Sequence, residues 1–435
     1  MFSKILIANR GEIAVRIIRA CKEMGIKTVA VYSQADRDSL HRALADESIC
    51  IGGSQPHESY LDKERIISAA LAMKANAIHP GYGFLSENAS FASLCRENGI
   101  AFIGPDADTM KKLEDKAEMK RLAKEAGLPV IPGTGVLSCV EEALDKAEEL
   151  GYPVMLKASS GGGGRGIRPA YTPHELEECF PVSQMEAQAA FGDGSLYLEK
   201  CIEKARHIEV QVLCDEFGNS IALGERDCSI QLRHQKLIEE SPSPGLDRSV
   251  RAQLLEMSEQ AVRKLGYTGA GTLEFLLDDY GHYYFMEMNL RLQVEHGVTE
   301  ILTGIDLVKW QIRIAAGVPL SFTHKDVRLS GAAIECRINA RSAGTVKRIH
   351  VPGGPFVRFD TYLESGSEVP PYYDPLVGKL MVYTRTREEA IRKMRAYLCE
   401  LIIEGIETNI NDELAIINDP RFISGDYDTA FMEER

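Results

Sequence analysis

The apolar residues Ile5, Leu6, Ile7 and Ala8 run together near the start of the chain. After Gly11, Ile13, Ala14, Ile17, Ile18 and Cys21 recur at the spacing of one helical face. Gly25 stops that helix and residues 27–32 resume an apolar run, so the opening reads as a right-handed βαβ unit over a parallel sheet. Further units follow: a helix over 66–74, a strand at 77–78, the turn His79-Pro80-Gly81-Tyr82-Gly83, another helix, and a strand over 100–103 closed by Gly104-Pro105. A charged amphipathic helix is expected over 109–126, after which Gly127-Leu128-Pro129 opens a second βα pattern. From about residue 328 the pattern changes to short strands, two Pro/Gly turns at 351–355 and 369–371, and a helix over 387–400. The expected division is therefore 1–113, 114–327 and 328–435, in a mixed α/β and α+β chain.

The middle region carries the chemistry. Alternating runs at 271–277 and 283–289 flank the polar turn Asp278-Asp279-Tyr280-Gly281, the signature of a β-hairpin. Glu274 and Glu287 then lie nearly opposite each other, and Glu287 shares a face with Asn289. Two carboxylates in one patch repel unless a hard cation such as Mg²⁺ or Mn²⁺ separates them, although a solvated hairpin face has the same pattern. Continued alternation through 289–296 sets Asn289, Arg291, Gln293 and Glu295 on one side and Leu290, Leu292 and Val294 on the other, as an exposed edge strand would also do. Upstream, the apolar run 152–156 enters Lys157-Ala158-Ser159-Ser160-Gly161-Gly162-Gly163-Gly164-Arg165-Gly166. Four consecutive glycines let backbone N–H groups approach phosphate oxygens, and the flanking cations Lys157, Arg165 and Arg168 suit a lid better than a linker.

Composition narrows the class. The 435 residues, 44% hydrophobic and 26% charged, fit two to four globular domains, and no run reaches the roughly 20 apolar residues of a membrane span. Lys+Arg 50 against Asp+Glu 64 leaves a net charge of −14, which disfavours nucleic acid and anionic membrane as partners and requires any anion to be captured in a local basic pocket. The chain enters a buried strand with no leader pattern, and its ten cysteines have no C-x-x-C pair; both suggest a cytoplasmic protein with reduced, mostly buried thiols. The first turn lacks G-x-G-x-x-G and no Walker A motif occurs, so neither dinucleotide nor P-loop binding is expected.

Taken in order, several long segments resemble the biotin carboxylase component of biotin-dependent carboxylases, an ATP-grasp enzyme. They are Ile7-Ala8-Asn9-Arg10-Gly11-Glu12-Ile13-Ala14, residues 79–88, residues 157–166, Gly224-Glu225-Arg226-Asp227-Cys228-Ser229, Arg233-His234-Gln235-Lys236, Gln293-Val294-Glu295-His296, Glu335-Cys336-Arg337-Ile338-Asn339 and Pro370-Pro371-Tyr372-Tyr373-Asp374. The resemblance implies a Rossmann-like N-terminal domain, an ATP-grasp domain with a lid over about 131–203, and a C-terminal biotin-carboxylase-type domain. By the family pattern Lys116 and Lys157 would meet the phosphates, with Gly163 and Gly164 in the lid. Glu199, Lys200, Cys201 and Ile202 would hold the adenine edge, while His207, Gln231 and His234 complete the nucleotide pocket. Glu274, Glu287 and Asn289 would bind Mg²⁺ or Mn²⁺, at two sites. Lys236, Arg291, Gln293 and the Val294 backbone would hold bicarbonate, with Glu295 as its base and Arg337 stabilising the biotin enolate.

The activity implied is that of an ADP-forming ligase that carboxylates biotin on a carrier protein through carboxyphosphate. Biotin carboxyl carrier protein and carboxyltransferase subunits are the implied partners, in a homodimer of this chain. Leu290, Leu292 and Gly297 depart from the commonest family pattern, and residues 291–300 look more like the urea carboxylase branch. A shorter Arg341-Ser342-Ala343-Gly344-Thr345-Val346-Lys347 also replaces the usual loop after Ala340. Two other readings stay open: an ATP-grasp carboxylase acting directly on a urea- or guanidine-like nitrogen, and a nucleotide-binding partner without turnover.

Overall fold

The computed structural model describes residues 1–159, 166–233, 235–323 and 325–435, with the side chains of Lys116 and Ala117 excepted. Gly163, Gly164, Arg165 and His234, singled out above, lie outside the described residues, as does the side chain of Lys116. The N-terminal part is a parallel sheet in the order Glu47–Gly52, Lys27–Ser33, Lys4–Ile7, Ala77–His79, Ala101–Phe102. Helix Gly11–Glu23 joins the first two strands and buries Ile13, Ala14, Ile17, Ile18 and Cys21, the face read from the spacing. The single helix expected over 109–126 is instead two, Ala107–Glu114 and Lys116–Ala126. Asp115 between them is extended, and its carboxylate accepts the Glu118 N–H at 2.9 Å, which ends one helix and caps the next.

An antiparallel eight-stranded sheet forms the rest of the frame, in the order Tyr283–Asn289, Gly269–Leu277, Arg206–Cys214, Ser220–Leu232, Gln235–Ser241, Ala332–Asn339, Leu376–Thr384, Val357–Thr361. It runs without interruption from residues before 328 to residues after it. A separate three-stranded sheet, Ile167–Ala170, Val154–Ala158 and Leu196–Lys200, packs with helices Val140–Leu150 and Pro173–Phe191 around its own apolar core, which includes Leu156, Leu176, Phe180 and Leu198. The hairpin forms as expected, with Glu274 paired to Glu287 and Thr272 to Asn289.

The extended run expected through 296 stops at Asn289; residues 290–293 are a bend and irregular chain, 294–295 a turn, and helix His296–Thr303 begins directly after them. The reason is that two leucines serve two different cores. Leu290 packs with Phe275 and Phe285, whereas Leu292 packs with Ile7, Ile13 and Trp310. A flat strand cannot reach both, and the Leu290 N–H finds Glu87 at 2.9 Å in place of a ladder partner. All ten cysteines are free, but only five are buried, with Cys50, Cys139 and Cys399 exposed. That corrects the expectation of mostly buried thiols; Cys139, for one, stands at the N-terminus of Val140–Leu150, where the backbone is still extended. No helix among the described residues is long and apolar enough to cross a membrane.

Candidate active site

The strands of the eight-stranded sheet set four charged residues in one transverse row. Glu287 pairs with Glu274, Glu274 with Glu209, and Glu209 with Arg226, so the register itself lines up three carboxylates and a guanidinium. Glu287 and Glu274 of this row border a cavity of about 1610 Å³, enclosed also by the three-stranded sheet and the turn after the first strand, while Glu209 and Arg226 are buried behind them. Of the residues singled out above, Lys157, Glu199, Lys200, Cys201, Ile202, His207, Gln231, Lys236, Glu274 and Glu287 border it, as do Asn289, Arg291, Gln293, Val294, Glu295 and Arg337.

At one end the buried Glu199 on strand Leu196–Lys200 takes the ammonium groups of Lys157, at 2.5 Å, and Lys120. Lys120 comes from helix Lys116–Ala126 and sequence reasoning missed it; its Nζ also lies 5.5 Å from the Tyr197 ring centroid. The Lys200 ammonium turns elsewhere, donating to the carbonyls of Gly151 at 2.8 Å and Tyr152 at 3.1 Å, so this residue offers the cavity its backbone and stem. Burial pushes up the Cys201 thiol.

At the other end one ammonium sits among three carboxylates. Lys236 Nζ reaches Glu209 at 2.6 Å, Glu274 at 3.0 Å and Glu295 at 2.6 Å. Glu274 also accepts from Asn289 at 2.9 Å and Gln293 at 2.7 Å, and lies 3.0 Å from His207 Nε2. Arg226, completely buried, binds Glu209 and reaches Gln211, Thr299 and Gln293 at 2.9, 2.8 and 3.0 Å. Glu295 is held between Lys236 and Arg337, the latter 2.9 Å away. Burial alone would raise its carboxyl, but Lys236, Arg337 and Arg226 outweigh that and keep it well below the usual carboxylate range. Glu274 behaves likewise, with Lys236 and His207 overcoming the burial. Arg337 also contacts Glu239 at 2.5 Å, whose carboxyl burial pushes up to about 7. Arg291 holds Glu87 at 2.9 Å and the Asn289 side-chain oxygen at 3.1 Å.

Glu209, Arg226, Glu87 and Lys120 are thus additions to the sequence-derived set. A signal for Glu209 did exist: His207, Glu209 and Gln211 alternate through an otherwise apolar strand. A hard divalent cation suits the wall formed by Glu274, Glu287 and Asn289, because these offer carboxylate and amide oxygens on one face. Gly297, one of the family departures, has a packing cause: a Cβ there would stand 2.3 Å from the Met381 sulfur and 3.4 Å from a Glu335 oxygen.

Family models match the chain in three consecutive pieces: biotin carboxylase, N-terminal domain, at residues 1–110; carbamoyl-phosphate synthase L chain, ATP binding domain, at 115–323; and biotin carboxylase C-terminal domain at 335–434. The chain is 52% identical over 443 residues to biotin carboxylase 1 of Bacillus subtilis, covering 100% of this chain and 98% of that protein. Among solved structures, a biotin carboxylase beta-gamma-ATP complex from Campylobacter jejuni has a TM-score of 0.98 at 47% identity, covering 100% of this chain and 99% of that one. The biotin carboxylase domain dimer of Hydrogenobacter thermophilus 2-oxoglutarate carboxylase, in complex with MgADP, ADP and bicarbonate, has a TM-score of 0.96 at 49% identity, covering 100% and 98%. Half-identical over its full length to such proteins, this chain belongs to the biotin carboxylase family.

Proposed function

We propose that the chain carboxylates biotin on a separate carrier protein, using ATP and bicarbonate and releasing ADP and phosphate through carboxyphosphate, as the first half-reaction of a biotin-dependent carboxylase. The observation that carries this reading is Glu295, a buried carboxylate gripped by Lys236 and Arg337 on the wall of a nucleotide-sized cavity. Lys157, with Lys116, Gly163 and Gly164, meets the phosphates; residues 199–202 hold the adenine edge, and His207, Gln231 and His234 complete the pocket. Glu274, Glu287 and Asn289 hold Mg²⁺ or Mn²⁺, which neutralises charge on the phosphates. Lys236, Arg291, Gln293 and the Val294 backbone hold bicarbonate.

A carboxylate clamped by two cations is a poor base. Bicarbonate entering between them takes over part of the Lys236 and Arg337 charge, which raises the Glu295 carboxyl and enables it to take the bicarbonate proton. The bicarbonate oxygen then attacks the γ-phosphoryl group and ADP leaves. Carboxyphosphate releases CO₂ beside the ureido ring, the phosphate takes the N1 proton, and Arg337, released from Glu295, offsets the oxyanion.

The carrier and carboxyltransferase are partner proteins, and the chain works as a homodimer in the cytoplasm, where its ten free thiols stay reduced. The division 1–113, 114–327 and 328–435 is kept in this reading. The test is ADP release with Mg²⁺ in the presence and absence of bicarbonate and free biotin. Dependence on both is expected; turnover with urea or guanidine and none with biotin would favour direct nitrogen carboxylation, and nucleotide binding without hydrolysis a silent partner.

A further inference from the structure

Beneath the Val294–Glu295 peptide lies a lysine that no step above uses. Lys379 is completely buried in strand Leu376–Thr384, one strand beyond Arg337 and directly paired with it. Its ammonium donates to the Val294 carbonyl and lies 3.5 Å from Glu12, which itself accepts from the Tyr82 hydroxyl. Val294, Glu295, Arg337, Glu12 and Tyr82 all border the cavity, while Lys379 does not. A bare ammonium in an apolar run of Leu376, Val377, Leu380, Met381 and Val382 is costly, and the acids Glu12, Glu335 and Asp360 sustain its charge against Arg358.

We infer that Lys379 is a positioning residue for bicarbonate capture, fixing the Val294–Glu295 peptide from the sheet side. The inference rests on the reading just given. Because a trans peptide is planar, anchoring the Val294 carbonyl toward the sheet turns the Glu295 N–H away from it and sets the backbone from which Glu295 projects. Arg337 and Lys379, neighbours across two strands, therefore grip the same two residues, one through a side chain and the other through the main chain.

The experiment compares wild type, Lys379→Met and Lys379→Arg. Bicarbonate affinity is read both as KM in the ADP-release assay and from ¹³C-bicarbonate NMR line broadening; MgADP affinity is read by calorimetry. Loss of a charge-assisted hydrogen bond predicts that Lys379→Met weakens bicarbonate about tenfold or more while MgADP affinity changes less than about twofold, and that Lys379→Arg recovers part of the loss. Unchanged bicarbonate affinity in Lys379→Met overturns the inference. If that variant fails to bind MgADP because Glu335 has lost its counter-ion, Lys379→Met/Glu335→Gln removes both charges; the same bicarbonate defect is expected, and wild-type bicarbonate affinity in the double variant overturns the role. The NMR readout needs no turnover, so a wild type that binds bicarbonate without carboxylating biotin would fail the functional reading and still permit this test.

Discussion

The two ends of the cavity solve one electrostatic problem in opposite ways. At one end Lys120 and Lys157 both reach the carboxylate of Glu199, and the lysine side chains keep 20% and 21% of their surface exposed. At the other end Lys236 is shared by three carboxylates, and Arg226 and Arg337 extend the network, with the Lys236 and Arg337 side chains 12% and 15% exposed. The first end has two ammonium groups within reach of water and includes a strand of the small sheet, which has a core of its own. The second has its charges built into five adjacent strands of the large sheet, with Glu295 on the turn that leads into helix His296–Thr303. Partly exposed cations favour an incoming triphosphate, whereas more deeply buried pairs yield only to a ligand that replaces the charge it displaces.

The sharpest way to break this contrast is Glu295→Gln. Loss of the base should lower bicarbonate-dependent ADP release by about 10²–10⁴-fold with MgADP affinity kept, as steady-state assays and calorimetry would register. An equal loss of nucleotide affinity would mean that the two ends are not separable. Next in size, Glu287→Gln should weaken Mg–nucleotide binding by about tenfold or more, since one hard ligand is removed. Arg337→Ala should spare nucleotide affinity and reduce biotin-dependent turnover; full retention of carboxylation would remove its enolate role. Lys120→Met should raise KM for ATP only severalfold, because Lys157 still faces Glu199 and remains at this end of the cavity.

The smallest expected effect is on stability against pH. Glu274 and Glu295 have lowered carboxyls, so the stability they contribute is present above the ordinary carboxylate range and is lost as pH falls below it. Glu239 is opposite in sign: raised to about 7, it favours the fold at acid pH and its contribution fades as pH climbs from its ordinary value of 4.5 through 7. Scanning calorimetry should therefore show Glu239→Gln flattening the decline between pH 5 and 7 without altering the acid limb.

Much of the hairpin chemistry was legible beforehand. Period-two alternation put Glu274 opposite Glu287 and Asn289 on the same face, and the structure has that register. Of the ladder from Asn289 to Glu295, the polar members still border the cavity, but Val294 borders it with them and Leu290 and Leu292 enter separate cores, because an irregular segment replaces the expected strand. Lys379 had a signal that went unread: one lysine in the middle of an apolar strand. Lys120 had none, being one of several charges on an amphipathic helix.

By itself the sequence determined the local elements and the residue types along each strand, because helix and strand periods are properties of neighbouring positions. Strand order belongs to tertiary structure alone. Only when Arg206–Cys214 lies between Gly269–Leu277 and Ser220–Leu232 do Glu209 and Arg226 join Glu274 in one row. The charge states follow from that order too, since a carboxyl's affinity for its proton is set by which cations burial brings against it, and those cations come from strands far apart in the chain.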